Sequence, residues 1–147
     1  MRRIAAAALG VALLVGVGAG AAQAAPGDTV TRKWTAPAGK TKILKAVRPY
    51  GVYTREGDVV WTRGYLKDLK RDGWSPGVQF RAWDKGKWKQ SDVYFRVKPN
   101  GKPYDQKFTM HYGLFWATSA KHLQVRKVAL KATNSKSRKY GAWKKLF

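Results

Sequence analysis

Asp58-Val59-Val60-Trp61-Thr62-Arg63-Gly64-Tyr65-Leu66-Lys67-Asp68 alternates with a period of two. Val60, Thr62, Gly64 and Leu66 make one face, and Val59, Trp61, Arg63, Tyr65 and Lys67 make the other. Only an extended chain sends successive side chains to opposite sides in this way, since a helix would scatter the same residues around its axis. The segment predicts a strand with one uncharged face suited to a core and one face of rings and cations.

The same alternation recurs on either side. Val78-Phe80-Ala82 alternates with Gln79-Arg81-Trp83, and Val93-Phe95-Val97 with Tyr94-Arg96-Lys98. Phe108-Met110-Tyr112 alternates with Lys107-Thr109-His111, and Leu123-Val125 with Gln124-Arg126. At Lys127-Val128 the phase slips, and a β-bulge is expected to restore it. Thr29–Trp34 and Lys42–Tyr53 read as further strands, the second interrupted by Pro49. Turn chemistry separates the runs at Arg55-Glu56-Gly57-Asp58, Asp72-Gly73, Ser75-Pro76-Gly77, Asp84-Lys85-Gly86-Lys87 and Pro99-Asn100-Gly101. Asp84-Lys85-Gly86-Lys87, between Trp83 and Trp88, is the cleanest hairpin.

No stretch shows a clear amphipathic helix. Thr118–Lys121 reads as a turn, and the lysine-rich stretch from Ser135 as a short tail. The expected fold is all-β, an antiparallel β-sandwich or small barrel of about seven short strands. Phe80 and Phe95 are expected in its core on central strands, with Arg81 on the surface.

The chain opens with Arg2-Arg3, an apolar run from Ile4 to Val17 and the small-residue box Ala22-Gln23-Ala24. Basic start, apolar middle and A-x-A box together predict a secretory signal peptide over residues 1–24. Gly10, Gly16 and Gly18 interrupt the run, which argues against a retained membrane span. Arg2-Arg3 is twin-arginine in form, but Ile4-Ala5 follow it, so the plain secretory route is expected. The predicted organisation is a leader over 1–24, a loosely ordered N-terminal arm over 25–40 and a single β-rich domain over 41–147. About 120 residues beyond the leader suffice for one core without staples. The expected localisation is secreted and extracellular, with wall association allowed by the charge.

That charge is the dominant surface property. Thirty Lys and Arg face 8 Asp and Glu, a formal net charge of +22 at pH 7 in 147 residues. So lopsided a balance strains the folded state by self-repulsion and makes contact with polyanions hard to avoid. The chain has no cysteine, which removes disulfides, thiol catalysis and thiolate metal sites. Stability then rests on packing, for which 7 Trp, 7 Tyr and 5 Phe supply large buried areas.

Catalytic chemistry is thinly represented. His111 and His122 are the only histidines and lie on predicted solvent faces without a carboxylate cluster, a poor zinc site. Asp68-Leu69-Lys70-Arg71-Asp72-Gly73 lacks the alternating acids and closing glutamate of a calcium loop, and reads as a turn capped by aspartates. Glu56, Asp58, Asp68, Asp72 and Asp84 fall in turns, so the facing carboxyl pair of a glycosidase is not evident. No G-x-S-x-G elbow is present. The most serious enzyme reading is a small secreted ribonuclease in which Glu56 shares acid–base work with His111 or His122 and an arginine holds the phosphate.

Binding chemistry is better represented. Trp61, Arg63, Tyr65 and Lys67 share one strand face, and Gln79, Arg81 and Trp83 share another. Rings interleaved with cations suit a polymer that carries anionic groups and stackable rings. If the two strands are neighbours, these faces merge into one platform, and Trp61, Arg63, Tyr65, Lys67, Arg81 and Trp83 become the candidate ligand-binding residues. The alternative is that Trp61 and Tyr65 belong to the core and Arg63 snorkels past them.

Gly64-x-Leu66-x-Asp68-x3-Asp72-Gly73, then Val78-x-Phe80-x-Ala82 and Leu123-x-Val125-Arg126, resembles small secreted actinobacterial proteins of uncharacterised function. The similarity covers about Val59 to Leu130. It implies a compact β-sandwich and export, and it supplies no active site. Proteins of that kind often carry paired cysteines, which this chain lacks.

The leading expectation is an exported, strongly cationic, non-enzymatic protein, expected as a monomer, with neither cofactor nor metal. Its partner would be an anionic polymer: wall polymer, extracellular nucleic acid or acidic polysaccharide. A small secreted hydrolase and a neutral-carbohydrate module are the alternatives.

Overall fold

A computed structural model describes residues 29–105, 109–117 and 120–147, with backbone alone for 109–116 and 120. The leader and its cleavage box, and the first residues of the predicted arm, lie outside the described residues, as do Phe108 and the first half of the Thr118–Lys121 turn.

The chain is all-β and antiparallel, arranged as two sheets, one of them a half-barrel. The described residues form β1 (Thr29–Thr35), a short helix α1 (Lys42–Ala46), β2 (Val47–Glu56), β3 (Val59–Asp68), β4 (Trp74–Asp84), β5 (Lys87–Gln90), β6 (Tyr94–Phe95), β7 (Thr109–Ala117), β8 (Ala120–Lys131), β9 (Asn134–Tyr140) and β10 (Lys144–Lys145). One sheet has the order β1-β2-β3-β7. The other runs β10-β8-β4-β5, with β6 also on β4 and β9 also on β8. The seven expected runs become ten strands among the described residues because β5, β9 and β10 are added at the edges of the second sheet, β5 on β4 and β9 and β10 on β8.

Period-two patterning places the core where it was expected. Val60, Thr62 and Leu66 of β3 are fully buried, as are Val78, Phe80 and Ala82 of β4 and Leu123 and Val125 of β8. These inward faces pack as the main core, with Trp34 and Tyr53 added from the first sheet. The Trp34 ring meets the Phe80 ring edge-on at 5.3 Å, a favoured aromatic geometry. Turn chemistry holds as well: Lys85 and Gly86 have φ of 48° and 79°, the paired positive values of a two-residue hairpin turn. Asp68 accepts from the Lys70 backbone N–H and Asp72 from that of Trp74, so both aspartates serve turns.

Several expectations are corrected. The predicted loose arm contains β1, which pairs with β2 along its whole length and buries Trp34 in the core; the domain therefore extends back to Thr29. Lys42–Tyr53 is not one strand. Thr41 caps α1 by accepting from the Leu44 N–H, as N-cap threonines do, and β2 begins only at Val47.

Ser75-Pro76-Gly77 is no turn either: all three are buried within β4, and a Cβ on Gly77 would sit 2.7 Å from Leu130 Cδ1. A side chain there would have to displace Leu130 and Val93, so glycine suits this close approach. Val93-Phe95-Val97 is not a central strand, since β6 has two residues, Phe95 is half-buried beside a satellite cluster of Val93, Val128 and Leu130, and Val97 is exposed.

At Lys127-Val128 no bulge occurs. The β4–β8 register runs unbroken from Trp74↔Lys131 to Trp83↔His122, so Lys127 takes an inward position after Leu123 and Val125. The apparent slip is a lysine occupying a buried site.

The predicted tail from Ser135 is built into the fold. It forms β9 and β10, then places Leu146 and Phe147 against the main core. Tyr53 donates to the Leu146 carbonyl at 3.3 Å, and the Arg55 guanidinium lies 4.7 Å from the Phe147 ring centre.

Candidate ligand-binding faces

β3 carries its predicted stripe on the outward side of the first sheet. Trp61 is half-buried, while Arg63, Tyr65 and Lys67 are exposed. Cross-strand pairing sets Val52 beside Arg63, Tyr50 beside Tyr65 and Arg48 beside Lys67. The Tyr50 and Tyr65 rings stack at 5.5 Å. A shallow cleft of about 370 Å3 lies over Gly51 and Gly64, walled by Arg63 and Tyr65. Any side chain at Gly51 would collide with the Arg63 carbonyl and Gly64 Cα, so these two strands meet backbone to backbone there.

Arg81 and Trp83 lie elsewhere. β4 is in the second sheet, and its outward face looks away from that of β3 across the two-layer body. The merged platform is therefore corrected: the six candidate residues divide into Trp61, Arg63, Tyr65 and Lys67 on one side, and Arg81 and Trp83 on the other.

On the second side they join residues that the sequence reading did not select. β4 carries Gln79-Phe80-Arg81 and β8 carries Gln124-Val125-Arg126. Antiparallel pairing sets Gln79 opposite Arg126 and Arg81 opposite Gln124. Each arginine is held by the opposing amide. Arg81 Nε donates to Gln124 Oε1 at 2.9 Å. Arg126 donates to Gln79 Oε1 through Nε at 2.9 Å and through Nη2 at 2.6 Å. Gln79 in turn donates through Nε2 to the Ser91 carbonyl at 2.7 Å.

Rings fill the gaps between the guanidinium groups. Arg81 lies 4.4 Å from the ring centres of both Trp88 and Trp143. Arg126 lies 4.4 Å from Trp143 and 4.1 Å from Tyr140. Both guanidinium groups thus contact the one indole of Trp143, and Trp88, Arg81, Trp143, Arg126 and Tyr140 form one connected row on this face. Trp83 extends the row by meeting Trp88 edge-on at 5.3 Å, as cross-strand partners in the β4–β5 hairpin.

Electrostatically this row is one-sided. Glutamine orients a guanidinium without cancelling its charge, as a carboxylate would. The ion pair of Arg55 with Asp58, at 3.8 Å, is remote from it at the β2–β3 turn. Burial lowers the Arg126 pKa; the Tyr140 hydroxyl opposes that shift, and the charge of Arg81 adds to it. Arg81 is half-buried within the row, which corrects its placement as a free surface residue.

Catalytic groups are not assembled comparably. Glu56 ends β2 in the first sheet, while His122 is exposed on β8 in the second; the His111 side chain lies outside the described residues. Among the described residues, no group of three or more histidine or acidic side chains could hold a metal ion.

One signal for the missed residues was present: the Gln-x-Arg spacing occurs twice. Nothing local connects it to Trp143, which arrives from a loop after β9. The chain matches no protein-family model, no curated protein and no solved structure.

Proposed function

We propose that this is an exported, non-enzymatic protein that binds anionic polymers through the outward face of the β4–β8 sheet. One observation carries the reading: Arg81 and Arg126 are stacked between rings and aligned by neutral amides, and so offer undiminished positive charge from fixed positions. Stacking and a single oriented hydrogen bond restrict a guanidinium before ligand arrives, which lowers the entropy lost on binding.

The rings here serve the arginines more than the ligand. Trp143 packs against both guanidinium groups, which engages its ring within the row. The geometry therefore favours recognition of phosphate, sulfate or carboxylate groups along a chain over base stacking. Affinity would come from counterion release as these groups are neutralised.

The test is a titration of polyphosphate, a polyuronate and single-stranded RNA across a salt series, with the wild type and an Arg81→Gln, Arg126→Gln variant. Log affinity should fall linearly with log salt, and the variant should flatten that slope by about one per lost cation. An unchanged slope in the variant would overturn the assignment to this face. RNA shortened during the titration would overturn the non-enzymatic reading, and salt-independent binding would indicate a neutral-sugar module instead.

A further inference from the structure

Lys127 follows Arg126 on β8 and so points to the opposite side of the sheet, away from the stacked row. Only 5% of it is exposed. Its Nζ donates to the Leu44 carbonyl at 3.1 Å and the Val47 carbonyl at 2.7 Å, where α1 ends and β2 begins. An ammonium has three donors, and these two carbonyls occupy two of them. Burial lowers the Lys127 pKa, and the neighbouring Arg48 charge pushes it the same way.

Lys127 forms one wall of an open cleft of about 400 Å3 lined by Thr35, Gly39, Lys45, Val47 and Arg48. Lys45 and Arg48 stand exposed at its mouth. On the rim, Lys144 Nζ donates to the Thr35 carbonyl at 3.2 Å. Among the described residues, no aspartate or glutamate lines the cleft.

We propose that this cleft between α1 and β8 is a binding site for a phosphomonoester group, held by Arg48, Lys45 and Lys127. Helix capping accounts for Lys127 alone. It does not account for Arg48, whose charge acts on an ammonium already deprived of water, or for Lys45 on the wall of the same cleft, a gathering of like charge that an entering anion would relieve. Arginine supplies a planar fork for two phosphate oxygens, and the lysines supply point charges. A carboxylate, with one charge and two oxygens, would leave part of this set unmatched. The cleft is larger than a bare phosphate needs, which favours an ester whose organic part fills the remainder. The site lies apart from the stacked row and does not depend on it.

Calorimetric titration with glycerol phosphate, inorganic phosphate and acetate tests the proposal on the whole exported chain. Glycerol phosphate should bind at one site per chain, more tightly than inorganic phosphate and about ten-fold or more tighter than acetate. Arg48→Gln and Lys45→Gln, both surface changes that leave the fold intact, should each weaken it about ten-fold. The Arg81→Gln, Arg126→Gln variant should bind glycerol phosphate as the wild type does while losing polymer affinity, which separates this site from the polymer face. Four results would overturn the proposal: no binding of glycerol phosphate, acetate or inorganic phosphate binding as tightly, affinity unchanged in Arg48→Gln, or affinity lost in the stacked-row variant.

Discussion

Arg126 and Gln79 face each other across β8 and β4, and one amide oxygen accepts two hydrogen bonds from one guanidinium, at 2.9 and 2.6 Å. Gln79 is almost wholly buried. The pair fixes the plane of the arginine while leaving its charge uncompensated, and Arg81 with Gln124 repeats the device one step along the strands.

Exchanging the amide for a carboxylate separates orientation from charge. Gln79→Glu keeps the acceptor geometry but pairs Arg126 with an opposite charge. Loss of the Nε2 donor to the Ser91 carbonyl should lower stability, and in the folded protein polyphosphate affinity should fall further than in Lys139→Gln, which removes the same unit of net charge from exposed β9. Equal losses in the two variants would reduce the interaction to diffuse attraction.

Trp143 contacts both guanidinium groups, so Trp143→Ala should cost about 1–3 kcal/mol of stability through two lost cation–ring contacts and buried area. It should also weaken polyphosphate binding more than Arg63→Ala or Lys67→Ala, which lie on the opposite sheet. Denaturant titration and the binding series check the two effects. A larger binding effect at Arg63 would move the polymer to the first sheet and its Gly51–Gly64 cleft.

Core truncations should differ. Phe80 is fully buried against Trp34, and Phe80→Ala should cost about 3–5 kcal/mol. Phe95 is half-buried on a two-residue strand, and Phe95→Ala should cost less, about 1–2 kcal/mol by the area removed from water. Chemical denaturation of both variants decides the order.

Lys127 predicts a pH dependence with a definite sign. Its folded pKa lies below the ordinary 10.5. Between the two values the unfolded chain holds a proton that the folded one has released, so stability rises with pH across that window. Neutral amine still has two N–H donors for the Leu44 and Val47 carbonyls. Lys127→Met should be less stable overall and should lack the rise. Above about pH 10 the trend turns downward in both proteins, because burial raises the pKa of Tyr53 and Tyr94 above 10.0 and the folded state then holds the extra protons. Melting temperatures from pH 7 to 11 give the readout; a rise that persists in Lys127→Met would assign it to another group.

Export is expected to leave a product beginning at Ala25 or Pro26, since cleavage after Ala24 or Ala25 follows a small residue. N-terminal sequencing of protein from culture medium checks it. A membrane-bound product that retains Arg2 and Arg3 would contradict it.

Local alternation alone determined the strand character of β3, β4 and β8 and pointed to Val78, Phe80 and Ala82 as inward, while which face of β3 is buried was decided only by the packed structure, where Val60 and Leu66 are inward. A period of two is a property of the extended backbone and needs no partner to be read. The two-residue turn at Lys85-Gly86 was equally legible, because its residue types answer to φ angles within the turn itself. Where a segment's role depends on what lies across from it, the same reading failed. Gly77 and Pro76 looked like a turn because the Leu130 side chain that fills the space over Gly77 is far away in sequence. Lys127 looked like a break in phase because its acceptors, the carbonyls of Leu44 and Val47, come from the other end of the chain.

The candidate site divides in the same way. Arg81 and Trp83 were identifiable as one outward face from spacing alone. Only the tertiary structure decided that this face is separated from Trp61, Arg63, Tyr65 and Lys67, because the turn after β3 carries the chain from one sheet to the other. It also decided that Arg126, Trp143 and Tyr140 complete the row. Strand period fixes which side of its own strand a residue occupies, and sheet assignment is set by long-range pairing, whose energy lies in contacts that no local window contains.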